Sequence, residues 1–301
     1  MTGILLVDKP AGMTSHDVVD RIRKVTRQKR VGHTGTLDPG ATGLLILCIG
    51  KATRLSEHLT GLDKVYQGRI RFGQESSSYD LDGELIAEKP VPPLTREQIQ
   101  ALCSGFTGVI SQIPPMVSAV KIGGERLYKK ARKGEVVDRP ARTVTVHAFE
   151  VLSYTEPEAE VRVACTSGTY VRSLAHDLGE LAGCGALLAS LRRTAVGRHS
   201  VEAAATLEAL QSTDDVYARL IPMGEALDLP CVIVERDGLN IIATGGVLLP
   251  MHMVEGCPVN TGWVQIQDKR GQLLALGTVD GSPMGAMVQP KRVFLSPGQT
   301  A

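Results

Sequence analysis

The sequence predicts an α+β fold, and three observations carry that prediction. Long strand-like runs at Thr143–Tyr154 and Glu160–Thr166 follow one another in hairpin fashion, not in strict alternation with helices. Amphipathic helical stretches with capping residues stand between such runs. After Pro230 the chain turns to short β-rich runs broken by glycines, the pattern of a small, turn-rich, barrel-like module.

Taken in order, a strand at Ile4–Val7 ends in the turn Asp8-Lys9-Pro10-Ala11-Gly12. Ser15 is placed to cap a helix in which Val18, Val19, Ile22 and Val25 share one face. The apolar run Leu44–Ile49 reads as a buried strand. In Val65–Phe72, alternation sets Tyr66, Ile70 and Phe72 on one side and Arg69 and Arg71 on the other. Thr95-x-x-Gln98 is a capping box ahead of a helix bearing Ile99, Leu102, Cys103 and Phe106. Val171, Leu174, Leu178 and Leu181 mark another helix, stopped at Gly183. The last region has strands at Cys231–Val234, Trp263–Gln267 and Leu273–Leu276. The two domains divide at residues 1–228 and 229–301, with a long basic insertion loop at about 115–143 in the first.

Composition excludes several classes. The longest apolar run has 6 residues, far below the ~20 of a membrane helix. The first residues lack the apolar stretch of a secretion signal, so the expected location is cytoplasmic. Cysteines 48, 103, 165, 184, 231 and 257 stand singly, without Cys-x-x-Cys, and no His-Glu-x-x-His occurs, so neither a disulfide framework nor a metal site is expected. Phosphate-loop, Gly-x-Ser-x-Gly and dinucleotide-binding patterns are missing as well. Net charge is only +1, yet Asp20–Arg30 holds six basic residues against one acid, and Lys121–Arg142 holds eight against three. Such blocks mark a possible polyanion footprint.

The most informative segment is Gly32-His33-Thr34-Gly35-Thr36-Leu37-Asp38-Pro39-Gly40-Ala41-Thr42-Gly43. Glycines allow a sharp turn and a close approach, and the turn presents one potentially reactive carboxylate, Asp38.

That segment, with Asp8-Lys9-Pro10, Lys64-x-Tyr66, Ser167-Gly168-Thr169-Tyr170-Val171-Arg172 and Leu191-Arg192-Arg193-Thr194 in order, resembles the bacterial tRNA pseudouridine synthase B family over essentially the whole chain. The resemblance implies a pseudouridine-synthase catalytic domain, its mixed and largely antiparallel sheet flanked by helices, followed by a PUA-like barrel. It also implies a cofactor-free isomerase that converts uridine 55 in the T loop of tRNA to pseudouridine. Asp38 would be the nucleophile, toward base or sugar, or a base toward the sugar. Arg172 would be its ion-pair partner, opposing the rise in pKa that burial brings. Tyr66 would stack on the flipped base and handle the proton leaving C5. His33 would stack in the RNA loop, and Lys9 and Pro10 would shape the edge of the cleft. Tyr170 would either support Arg172 from below or face the substrate. Lys129, Lys130 and Arg132 in the insertion would meet phosphates of the T stem-loop.

The expected partner is tRNA, bound by a monomer without an obligate protein partner, membrane or metal. The competing readings are a non-catalytic tRNA-binding chaperone and a related synthase acting on rRNA or in a guide-RNA complex. Two places depart from the family's usual form, Leu187 and the looser Glu75–Asp82 stretch, and neither is expected to touch the catalytic residues.

Overall fold

The computed structural model describes residues 1–118, 121–122, 125–127, 137–254, 262–282 and 285–295. The first domain starts with β1 (Gly3–Lys9), α1 (Ser15–Thr26), β2 (Val31–His33), β3 (Thr42–Ile49), α2 (Ser56–Gly61) and β4 (Lys64–Phe72). A small hairpin, β5 (Gln74–Ser76) with β6 (Leu85–Glu88), leads to α3 (Arg96–Ser104) and β7 (Gly108–Gln112). The short pair β8 (Lys121–Ile122) and β9 (Glu125–Arg126) lies within the basic insertion, ahead of the long hairpin β10 (Arg142–Thr155) and β11 (Glu158–Cys165). Helix α4 (Val171–Ala182), β12 (Ala186–Val196), β13 (His199–Ser200), β14 (Ala205–Thr206) and α5 (Thr213–Tyr217) follow. The remainder is β15 (Cys231–Ile233), α6 (Arg236–Thr244), β16 (Gly262–Gln267), β17 (Leu273–Ser282) and β18 (Gly285–Val293).

The large sheet runs β14-β1-β3-β12-β4-β11-β10-β7, with β2 on β3 and β13 on β12. Its pairings are antiparallel except β1 with β14 and β12 with β3. The α+β expectation is therefore met by a mixed, mainly antiparallel sheet.

Strand β3 explains its own unbroken apolar sequence. Leu45, Leu47 and Ile49 face a core shared with Val18, Val19 and Ile22 of α1. Leu44, Ile46 and Cys48 face the opposite core. A strand covered on both faces needs no polar alternation. A third core lies under α3 and α4, where Ile70, Phe72, Val161, Val163, Leu174 and Leu178 meet.

Helix ends follow local chemistry. Thr95 and Gln98 form the expected capping box of α3. Gly183 closes α4 in the left-handed region at φ 76°. The cap of α1, however, is Thr14, in a reciprocal box with Asp17, and not Ser15. Ser15 is instead buried and bonded to a distant loop. Leu181 of α4 also departs from expectation: it is exposed, because the helix buries only its Val171, Leu174 and Leu178 side.

The C-terminal module is a four-stranded sheet, β15-β16-β17-β18, with α6 contributing Ile242 to its core. Among the described residues the sheet does not close into the barrel expected from its short strands. Helix α6 and the long β17–β18 hairpin take up chain that reads locally as turns. The module also packs on the large domain. Leu273, Leu276 and Phe294 enter the core formed by Ile4, Leu6, Leu44 and Ile46. Lys51 donates to the Phe294 carbonyl at 2.9 Å, and the Arg54 guanidinium lies 5.0 Å above the Phe294 ring.

Candidate active site

The Asp38 loop is held from beneath. Thr34 donates its backbone N–H to Ile46 at 3.1 Å, and the buried Ser15 hydroxyl donates to the Leu37 carbonyl at 3.1 Å and accepts from the Leu37 N–H at 2.9 Å. The Ala41 N–H closes a turn on the Asp38 carbonyl at 3.1 Å. Lys9 is fully buried, and its ammonium donates to the carbonyls of Pro10 (2.8 Å), Pro39 (3.2 Å) and Ala41 (2.7 Å). Burial pushes the Lys9 pKa down to about 8, with Asp38 opposing. Lys9 is thus a strut of the loop, and Pro10 follows it at the end of β1. Gly43 must be glycine: its φ is +99°, and a Cβ there would lie 2.3 Å from the Arg193 carbonyl.

Arg172 reaches the loop from the first turn of α4. The Gln112 side chain sets that helix start, donating to the Tyr170 carbonyl at 3.0 Å and accepting from the Tyr170 N–H at 2.8 Å. The Arg172 guanidinium is buried and bonds the Ser78 and Val117 carbonyls at 3.0 and 2.8 Å. It stands 3.1 Å from the Asp38 carboxylate and 3.3 Å from that of Asp80. Burial raises the Asp38 pKa; Arg172 opposes the rise, while Asp80 and Asp82 add to it. The carboxyl therefore titrates above the ordinary Asp range, even though its own side chain stays 43 % open toward the cleft.

Asp38, Tyr66, Tyr170 and Arg172 line one cleft of about 240 Å³, together with Lys64, Leu191 and Arg193. That volume falls below the ~300–1,000 Å³ of drug-sized sites and matches one extruded nucleoside better than a duplex. Burial pushes the Tyr66 phenol pKa up, and the positive charge of nearby Arg193 opposes this. Burial likewise raises the pKa of Tyr170. His33 ends β2 half-buried and is not among the residues lining this cleft. Lys129, Lys130 and Arg132 lie outside the described residues.

The Glu75–Asp82 stretch, expected to stay clear of Arg172, reaches it. Asp80 pairs with Arg172, and the Ser78 carbonyl accepts from it. Tyr79 sits at φ 65° and stacks on His176 of α4 with ring centroids 4.0 Å apart. What brings the stretch in is its junction with β12, where the Leu188 N–H donates to the Tyr79 carbonyl at 2.9 Å. The signal in the sequence was the Asp-Leu-Asp within a polar run; nothing local ties it to Arg172. Leu187 is buried, so its departure from the family form is a matter of packing. Among the described residues no group of three or more His, Cys, Asp or Glu side chains gathers as metal ligands would. No helix among them is long and apolar enough to cross a membrane.

A carboxylate aimed into a nucleoside-sized cleft, braced by a buried guanidinium and sharing that cleft with a half-buried tyrosine, can attack or deprotonate a sugar or base. The profile of the TruB family pseudouridylate synthase N-terminal domain matches residues 23–171, and that of the tRNA pseudouridylate synthase B C-terminal domain matches residues 172–228. The chain belongs to the TruB family of pseudouridylate synthases. Relatives agree along its length. It is 50 % identical over 228 residues to tRNA pseudouridine synthase B of Opitutus terrae, covering 75 % of this chain and 95 % of that one. With its namesake from Pseudomonas aeruginosa the identity is 40 % over 306 residues, covering 98 % and 97 %. Among solved structures, an H/ACA RNP bound to a substrate RNA containing 2′-deoxyuridine matches with a TM-score of 0.75 at 25 % identity, over 98 % of this chain and 86 % of that one. A Cbf5-Nop10-Gar1 complex matches with 0.75 at 27 %, over 99 % and 86 %. The chain is accordingly a pseudouridine synthase, an isomerase.

Proposed function

We propose that the protein converts uridine 55 in the T loop of tRNA to pseudouridine, with Asp38 as the reacting carboxylate, Arg172 as its partner and Tyr66 against the extruded base. The observation that carries this reading is the 3.1 Å pair of Asp38 with a buried Arg172 at the cleft lined by Tyr66. The reaction breaks the N1–C1′ bond and makes C5–C1′, with no redox change and no group lost, so one carboxylate and proton-handling groups suffice. A paired base must leave its stack to enter such a cleft, at a cost of a few kcal/mol that aromatic stacking offsets by ~1–3 kcal/mol.

The finer assignments rest on the same reading. His33 contacts the opened RNA loop, and the basic insertion with Lys129, Lys130 and Arg132 holds the stem. Residues 1–228 carry the chemistry, and residues 229–301, a PUA-like module, add RNA contacts. The enzyme works in the cytoplasm as a monomer on bare tRNA, unlike the structural relatives described with partner proteins.

The test is incubation of the purified protein with an unmodified T-arm hairpin and mapping of pseudouridine by chemical adduct and primer extension. Product at the loop uridine is expected with this protein alone, without any partner protein. Asp38→Asn should abolish it while holding tRNA affinity within about tenfold, since phosphate contacts dominate binding. Binding without product in the wild type would instead favour the chaperone or guide-dependent readings.

A further inference from the structure

The cleft contains a second guanidinium that the reading above leaves without a task. Arg193 is buried, donates from Nε to the Leu44 carbonyl at 2.7 Å and from a terminal nitrogen to the Gly35 carbonyl at 3.1 Å, and lines the cleft beside Tyr66. Lys64 is buried in the same cleft and donates to the carbonyls of Thr60 and Leu62. Among the described residues neither cation is in an ion pair, whereas Arg172 has two carboxylates. Arg193 adds to the burial that takes the Lys64 pKa down to about 8. Burying an unpaired charge is costly. The cleft is therefore uneven, with carboxylates at the Arg172 end and uncompensated positive charge at the Tyr66 end.

Resting on Asp38 as the reacting carboxylate, the direction of charge movement does not depend on the route. If the carboxylate attacks C1′, a C1′–O bond forms, N1–C1′ breaks, and its electron pair stays on uracil. If it takes the C2′ proton, the C2′–H pair becomes the C1′–C2′ double bond and the N1–C1′ pair again leaves with uracil. If it adds at C6, the C5–C6 π pair moves onto C5 and O4. In all three, Asp38 becomes neutral and the uracil ring acquires one negative charge.

We propose that Arg193 receives this charge: together with Lys64, from the same cleft wall, it stabilises the uracil anion. Preorganised donors aimed at developing charge are a large source of rate in water-poor sites.

The test compares single-turnover consumption of the target nucleoside in two T-arm hairpins, carrying uridine or 5-fluorouridine, since fluorine stabilises the ring anion by itself. Arg193→Gln should slow the uridine hairpin by ~100-fold, the loss seen when one such donor is removed, and the fluorinated one at least ~10-fold less. The RNA concentration for half-maximal rate should stay within about threefold, because the phosphate contacts are intact. Arg193→Lys should recover part of the rate. Equal slowing of both hairpins would reduce Arg193 to a clip between Gly35 and Leu44 and overturn the proposal. If Arg193→Gln does not fold, the same comparison is read on Arg193→Lys: a smaller slowing with the same bias supports it, and none overturns it. A wild-type protein that leaves uridine intact overturns the functional reading, and this inference with it.

Discussion

Asp38 is shaped by opposing influences at the level of single groups. Burial raises its pKa, Arg172 lowers it, and Asp80 and Asp82 raise it again. A raised pKa leaves the carboxyl protonated over a wider acid range, so kcat/KM should fall as pH drops through a value above the ordinary ~3.9 for Asp. Asp82→Asn removes a like charge without touching the Arg172 pair, so the acid limb of the pH–rate profile should move to lower pH. A limb that stays put would assign the titration to another group. Asp82 is exposed, so the move should be modest, well under one pH unit in ~0.1 M salt. The sequence singled out Asp38 by its glycine-rich turn, and Arg172 by the resemblance of its motif to the family. Asp80 was not legible, because its carboxylate meets Arg172 only after the chain has passed through more than ninety further residues.

At the level of elements, the site depends on α4 lying close against β12. Gly179 makes this possible: a Cβ there would fall 2.0 Å from the Ala186 backbone nitrogen. Gly179→Ala should cost about 1–3 kcal/mol through overpacking. Because Arg172 rides on the same helix, kcat should fall as well. Thermal unfolding and initial rates check both effects, and an unchanged rate would mean that the helix start is anchored by Gln112 alone. Helix caps and apolar stripes were readable because they depend on spacing within a few residues, as in Thr95 and Gln98. The Ser15 misreading shows the limit of that logic. Thr14 and Ser15 are both competent caps, and Ser15 is withdrawn by its bonds to Leu37, 22 positions away.

Across the whole molecule, the C-terminal sheet is a wall of the large sheet's core as well as a module of its own. Phe294 is 3 % exposed in the cluster with Ile4 and Leu44, beneath the Arg54 guanidinium. Phe294→Ala should cost about 3–5 kcal/mol, as large-to-small changes in a core do. Denaturant unfolding followed by Trp263 fluorescence would report it, since Trp263 stands edge-on to His58 of α2 at 4.6 Å across the same contact. A loss below about 1 kcal/mol would mean that the contact adapts to the smaller residue. Removal of residues after 228 should accordingly destabilise the large domain and weaken RNA binding together.

The sequence by itself determined the α+β class, most strand and helix positions and the Asp38 loop, because these follow from local periodicity and turn chemistry, while the Tyr66 and Arg172 motifs stood out through the family resemblance. Only the tertiary structure decided that Asp80 shares Arg172, that Lys9 is a buried strut, that Arg193 and Lys64 gather at Tyr66, and that the last sheet closes the first domain's core. Each of these joins residues distant along the chain. Electrostatic and packing energies depend on distance in space, and only folding sets that distance.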